Sequence, residues 1–354
     1  MRDQGHGRGP GIGQGSRPRG LTRSGWLALV VLLVVSVSCA GYRSDRKARP
    51  PRTTSSAAPP PGSAAPTSST VAASSELVVV ATGDIACDPD HRHYRDGEGA
   101  AHNCHQRATA DLARAQAPDA VLPLGDIQYE SGTLDAFRAS FDATSGGLKS
   151  LMRPVPGNRE YAIAGAPGYF DYFGAAAGQR GAGYYSYDIG SWHFIALNSN
   201  CTKLDGGCDR SGAQATWLRA DLASHRNRCT LAYWHHPRFS SGIHGSDVRT
   251  DRLWRALFEG GADVVLVGHD HDYERFAPQD ADGRVDPARG IREFVVGTGG
   301  RSHDRFAHHV PNSEVRNDET FGVLRMSLHD TGYEWRFVPE PRQTFTDVGT
   351  AACH

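Results

Sequence analysis

The chain has 354 residues, 39% of them hydrophobic, and a net charge of −1, enough for one large domain with a substantial core. That average conceals a basic first part, because residues 1–75 carry ten Arg/Lys against two Asp and leave an acidic remainder. No later stripe interleaves basic and aromatic residues, which argues against a nucleic-acid binding partner while allowing a nucleotide as substrate.

Residues 1–40 read as a basic region followed by an export signal. Arg17, Arg19 and Arg23 precede the apolar stretch Trp26 to Val37, and the small residues Ser38, Cys39, Ala40 and Gly41 follow. A run of about a dozen apolar residues is short of the ~20 that span a bilayer. Cleavage before Cys39 with lipidation of its thiol, cleavage after Ala40, and an uncleaved anchor are all open readings. Each places the rest of the chain outside the cytoplasm, as a cell-surface lipoprotein or secreted protein that meets the membrane only through its N-terminus. Residues 41–75 are rich in Pro, Ser, Thr and Ala and lack the apolar bulk to order themselves, as in a flexible tether.

From Glu76 onward, short apolar runs alternate with amphipathic stretches. Residues 77–81, 120–124, 192–198, 230–234 and 264–267 read as buried strands. Helical spacing is predicted over 106–116, 134–141, 211–224 and 247–259, with Trp217, Leu218 and Leu222 as a core-facing stripe. Hairpins are predicted over 184–196 and 322–338. The expected fold is α/β (α+β): two mixed sheets packed as a sandwich, flanked by helices, over 76–340, with 341–354 as a C-terminal tail.

Once Cys39 is assigned to the signal, six of the seven cysteines remain, an even number that suggests disulfides in an exported domain. Cys201 and Cys208 bracket a short loop and form the strongest pair. Cys87 with Cys104 is plausible, leaving Cys229 and Cys353; free buried thiols are the alternative.

Five blocks share one chemistry: Gly83-Asp84, Gly125-Asp126-Ile127-Gln128-Tyr129, Gly157-Asn158, His235-His236-Pro237 and Gly268-His269-Asp270-His271. Several directly follow predicted strands, where ligands collect beyond the carboxyl ends of a sheet. Each alone has an ordinary reading as a turn, a cap or a packed imidazole. Together they offer oxygen and imidazole donors without thiolates, which suits Zn²⁺, Fe, Mn²⁺ or Co²⁺ in a two-ion site and argues against a structural zinc. Asp126 is the natural bridging carboxylate, since it offsets the repulsion between two cations.

In this order the blocks resemble the calcineurin-like metallophosphoesterases, and among them the purple acid phosphatases. Further similar stretches are Tyr185-Ser186-Tyr187-Asp188, His193-Phe194-Ile195-Ala196-Leu197, Gln214 with Trp217-Leu218, Asp272-Tyr273-Glu274-Arg275 and Val296-Gly297-Thr298-Gly299-Gly300. The resemblance implies one site of Asp84, Asp126, Tyr129 and His271 and a second of Asp126, Asn158, His235 and His269. It implies Fe(III) plus a divalent ion (Zn, Fe or Mn), with Tyr129 as a phenolate ligand where most of the superfamily has a histidine at the position of Ala86. The implied activity is hydrolysis of phosphomonoesters by a metal-held hydroxide. The alternatives are a phosphodiesterase or nucleotidase with the same centre, or a surface binding protein with weak turnover.

The chain departs from the family at Arg159, which stands where a phosphate-contacting histidine is usual. An arginine can clamp phosphate but makes a poor general acid. His244 matches a substrate-contacting histidine and is the expected proton donor. A second cluster of His91, His93, His102 and His105 with Cys87 and Cys104 reads as a disulfide-pinned loop, with an extra zinc site as the alternative. His303, His308 and His309 are expected near the mouth without an assigned role.

Overall fold

The computed structural model describes residues 76–225 and 229–354; the basic region, export signal and tether expected over 1–75 lie outside them. Twelve strands are described: β1 Leu77–Thr82, β2 Ala120–Pro123, β3 Tyr185–Ile189, β4 Trp192–Ala196, β5 Cys229–Tyr233, β6 Val264–Val267, β7 Tyr273–Phe276, β8 Arg292–Val296, β9 Ser313–Asn317, β10 Gly322–His329, β11 Gly332–Pro339 and β12 Val348–Ala352. They form a five-stranded sheet of order β12-β11-β10-β1-β2 and a seven-stranded sheet of order β3-β4-β5-β6-β8-β7-β9. Both sheets are mixed. β1 and β2 pair in parallel in the first, and β4, β5, β6 and β8 run parallel in the second.

The two-residue period of the strands builds three layers of core. Val79 and Ala81 join Phe194, Leu231, Tyr233, Leu266, Phe294, Met326 and Phe337 between the sheets. The intervening Val80 packs outward with Val121, Val323, Phe137, Phe141 and Phe173. On the far side, Ile195, Ala232, Val265 and Val267 meet Leu218, Leu222, Trp254 and Leu257. The last four residues lie on the helices Ala213–Ser224 and Asp251–Glu259. The arrangement is the expected helix-flanked sandwich.

Three segments differ from the sequence reading. The helix expected over 134–141 extends to Ser145 and passes through a π-helical turn at Phe137–Phe141. There the Gln128 side chain accepts the Phe141 N–H (3.1 Å) and Ser140 Oγ donates to Cys87 O (2.6 Å). The helix expected from Asp247 begins as a 3-10 turn, Val248–Thr250, because the Asp247 carboxylate caps Arg249 N (2.9 Å). Residues 341–354, expected as a tail, carry β12. It pairs antiparallel with β11, and Cys353 after it is bonded to Cys229 at the start of β5. Cys87–Cys104 and Cys201–Cys208 are also disulfides, so all six domain cysteines are paired.

Candidate metal centre

The parallel strands of both sheets end at one edge, and the five blocks follow those ends or lie in loops beside them. Asp84, Asp126 and His269 each occupy the left-handed region, with φ of 59°, 45° and 76°. Non-glycine residues adopt it only where the surroundings over-determine them, most often at functional sites. Two glycines make the close approach possible. A Cβ on Gly157 would sit 2.2 Å from both Asp126 N and Asp126 Oδ1, and one on Gly268 would sit 2.7 Å from Asp84 Oδ2.

The side chains converge in two adjoining groups. In the first, Tyr129 Oη lies 2.9 Å from Asp84 Oδ1 and 2.9 Å from His271 Nε2, and His271 Nε2 is 3.4 Å from Asp84 Oδ1. In the second, His235 Nε2 lies 3.2 Å from Asn158 Oδ1, 3.4 Å from Asp126 Oδ1 and 3.2 Å from His269 Nδ1. Asp84, Asp126 and His235 each offer a donor atom within 4.8 Å of the others. All seven expected ligands are therefore brought together.

The donor set fits metal ions on two physical grounds. Both key imidazoles have their far nitrogen engaged, His235 Nδ1 with Leu124 O (2.8 Å) and His271 Nδ1 with Ser302 Oγ (2.8 Å). This arrangement aims each Nε2 at the centre, as partners of metal-binding histidines do. The charges also call for cations. Burial opposes ionisation of Asp126, but His235 and the Arg159 backbone and guanidinium outweigh it and hold the pKa at about 2. Burial likewise disfavours a charged His235, yet Asp126 and Asp84 raise its pKa to about 9. A proton on His235 thus balances the carboxylates where a cation would otherwise do so. Burial, then the carboxylates of Asp84 and Asp126, push the Tyr129 phenol well above its ordinary value, so its ionisation requires a bound cation. Burial and the surrounding histidines hold His269 well below the ordinary imidazole range, the neutral form a ligand needs.

Several residues that position this centre carried no role in the sequence reading. Glu160 is fully buried, and its carboxylate accepts Ile127 N (2.9 Å), Gln128 N (3.2 Å) and Gly157 N (2.7 Å), locking the Asp126 loop to the Asn158 loop. Gln128 Nε2 donates to Cys87 O (3.1 Å) and Tyr129 O (2.8 Å). Ser199 Oγ accepts His236 N (2.9 Å) and lies 2.8 Å from His236 Nδ1. Burial first, and His235 second, lower the His236 pKa to about 3, so this neutral ring packs 4.5 Å from His269. Gln128 sits inside a block and Glu160 two residues beyond one, which was the available signal; Ser199 and Ser302 had none.

Arg159 and His244 both stand at this centre. The Arg159 guanidinium lies 5.0 Å from the Tyr129 ring centroid, and its Nε is 3.7 Å from Asp126 Oδ2. The exposed His244 ring stacks on His269 at 4.5 Å, fixed by its backbone N–H to Asp270 Oδ1 (2.8 Å). The extra zinc site does not form, since the thiols of Cys87 and Cys104 are consumed in a disulfide. Of its histidines, His105 pairs with Glu340 (2.8 Å) and His102 lines a separate cleft of about 400 Å³ with His303 and Arg305. His308 and His309 are exposed.

A sandwich of mixed sheets here carries two adjoining groups of oxygen and imidazole donors at its strand ends, an arrangement fit to hold metal ions. The calcineurin-like phosphoesterase family model matches residues 77–273, and the chain belongs to that family, whose purple acid phosphatase-like members imply a binuclear metal centre. Purple acid phosphatase 15 of Arabidopsis thaliana is 26% identical over 230 residues, covering 54% of this chain and 42% of the relative. An uncharacterised protein of Mycobacterium tuberculosis is 28% identical over 219 residues, covering 50% of this chain and 41% of that one. This chain thus spans less than half the length of these relatives. Among solved structures, the purple acid phosphatase PPD1 of yellow lupin superposes with a TM-score of 0.64 at 20% identity, covering 79% of this chain and 54% of that one. The inner-membrane-complex anchor GAP50 of Plasmodium gives 0.55 at 13% identity, covering 79% and 89%. Both share the fold.

Proposed function

We propose that this domain is an exported phosphomonoesterase with a binuclear centre of Fe(III) and a divalent ion (Zn, Fe or Mn). The observation that carries it is the Asp84–Tyr129–His271 group beside the Asp126–Asn158–His235–His269 group. When bound, the two ions supply an activated water and neutralise charge on the phosphoryl oxygens. Tyr129 in place of an imidazole favours the hard trivalent ion at the first position.

The chain's own residues do the rest. Asp126 and Asp84 bring the negative charge that holds two cations close together. The Arg159 guanidinium orients the phosphate through charge-assisted hydrogen bonds. As water adds to phosphorus and the opposite P–O bond breaks, His244 gives its proton to the departing alkoxide, which leaves as the alcohol. One of the water's hydrogens is released to solvent, from which His244 regains its proton, and the other stays with the phosphate. Three disulfides, together with the signal-like residues 25–40, support an oxidising compartment outside the cytoplasm. The partner is a small phosphate ester, with no nucleic acid bound.

The test is steady-state hydrolysis of an aryl phosphomonoester and the matching diester by the purified protein loaded with Fe and Zn. Faster monoester turnover is expected. Faster diester turnover would assign a phosphodiesterase, and no turnover with two metals bound would remove the enzymatic reading.

A further inference from the structure

Arg301 lies outside the five blocks, yet its backbone is built into the centre. Its N–H donates to Asp84 O (3.0 Å), and its carbonyl accepts Cys104 N (3.3 Å) beside the Cys87–Cys104 disulfide. The side chain is 16% exposed. Its guanidinium lies 5.1 Å from the Tyr129 ring centroid, against 5.0 Å for Arg159. Asn103 Oδ1 accepts from Arg301 Nη1 (3.4 Å).

Both guanidiniums share one counter-ion. Glu130 Oε1 lies 2.7 Å from Arg301 Nη2, and Glu130 Oε2 lies 3.4 Å from Arg159 Nη1. Arg159 Nε also faces Asp126 Oδ2 at 3.7 Å, but that carboxylate is assigned to the metal ions, so in the loaded protein Glu130 alone is left to balance two arginines and a positive charge remains next to the centre. Donors are left over as well: Arg301 Nε and Arg159 Nε are both buried without a hydrogen-bond partner among the described residues. Glu130 is 46% exposed, and an exposed ion pair of this kind is weak enough to open when a stronger anion arrives. The carboxylate thus occupies, with one oxygen on each arginine, the place a phosphoryl group would take with three oxygens and more charge.

We infer that Arg301, together with Arg159, forms a second anion subsite, and that the preferred substrate is a phosphate ester or anhydride carrying another phosphoryl group beside the scissile one. This rests on the phosphoesterase reading and names its substrate class. Glu130 closes the subsite in the free protein and swings out when the second phosphoryl group enters.

Inorganic phosphate and pyrophosphate serve as probes, since they differ by one adjacent phosphoryl group. Each is titrated calorimetrically into the metal-loaded protein and measured as a competitive inhibitor of aryl phosphate hydrolysis, with metal content checked afterwards. The wild type should bind pyrophosphate about tenfold or more tightly than phosphate. Arg301→Gln should collapse that ratio towards one, Arg301→Lys should retain part of it, and Glu130→Gln should raise it several-fold. Chelation of metal by pyrophosphate would not depend on Arg301 and would leave the ratio intact in every variant. A wild-type ratio near one, or an Arg301→Gln protein that loses affinity for both anions equally, overturns the subsite. Absence of aryl phosphate hydrolysis in the wild type instead removes the phosphoesterase reading, while calorimetry still reports on the anion ratio.

Discussion

The backbone N–H of His269 donates to Asp84 Oδ2 across 2.8 Å, although the two residues are 185 positions apart. Asp84 follows β1 of the five-stranded sheet, and His269 follows β6 of the seven-stranded one. The bond fastens the two sheets at the edge where the metal centre lies. It also turns Asp84 Oδ1 towards Tyr129 and His271, so one carboxylate sets the spacing between the two donor groups.

Asp126→Asn should lose metal and activity together. Asp126 Oδ1 faces His235 at 3.4 Å and accepts Arg159 N at 2.7 Å, and its charge is what would hold two cations side by side. Loss of a ligand's supporting partner alone costs ~10–100-fold, so loss of this carboxylate charge should exceed a hundredfold in turnover. Elemental analysis should find fewer than two ions per chain. Undiminished turnover in this variant would sink the mechanism.

The iron-loaded protein should absorb in the visible through charge transfer from the Tyr129 phenolate. Tyr129→Phe removes the oxygen that lies 2.9 Å from both Asp84 and His271. The band should vanish in that variant while the second donor group still takes up a divalent ion. A band that persists would show that another group provides the colour.

Ser302→Ala tests the outer partner of the first donor group. Without Ser302 Oγ at 2.8 Å, His271 loses the contact that fixes its ring. Competition with a chelator should show ~10–100-fold weaker binding of one ion and little change in the other. Equal weakening of both would indicate a general loss of structure.

Stability should decline with rising pH through Glu293. This fully buried carboxylate accepts Arg238 N (2.9 Å) and Phe239 N (3.0 Å). Burial, partly offset by these bonds and Arg238, raises its pKa to about 8 from 4.5. Between those values the folded protein binds more protons than the unfolded chain, so the unfolding free energy falls as pH rises, by up to ~1.4 kcal/mol per pH unit. Urea titrations of Glu293→Gln over the same range should lack that component. An identical decline in the variant would assign the dependence to other groups.

Replacing Cys229 and Cys353 by serine should destabilise the fold by ~2–5 kcal/mol. The bond spans 124 residues of chain and ties the segment just past β12 to the start of β5. Thermal unfolding of the double variant should also show early loss of the β11–β12 pairing by amide exchange. Unchanged exchange in β12 would mean that the sheet hydrogen bonds suffice.

How much of the centre was legible follows from how local each signal is. Asp84, Asp126, His235 and His269 were readable because ligand-type residues stood directly beyond apolar runs, and a buried strand announces itself by its own composition. The helix-flanked sandwich was readable for the same reason, since short apolar runs such as those of β1 and β5 read as buried strands set between amphipathic helical stretches. The role of Glu160 was hidden although its position was not, because its partners Ile127 and Gln128 lie in another loop.

The sequence by itself determined the ligand types, their placement at strand ends and the sandwich that carries them, because those properties depend on a residue and its near neighbours. Only the tertiary structure decided which atoms meet. It set Ser302 behind His271, Arg301 and Arg159 around Tyr129 with Glu130 between them, and turned the last residues into an edge strand instead of a tail. Contacts between distant segments depend on how the two sheets and their loops pack together, which no local pattern of polarity encodes.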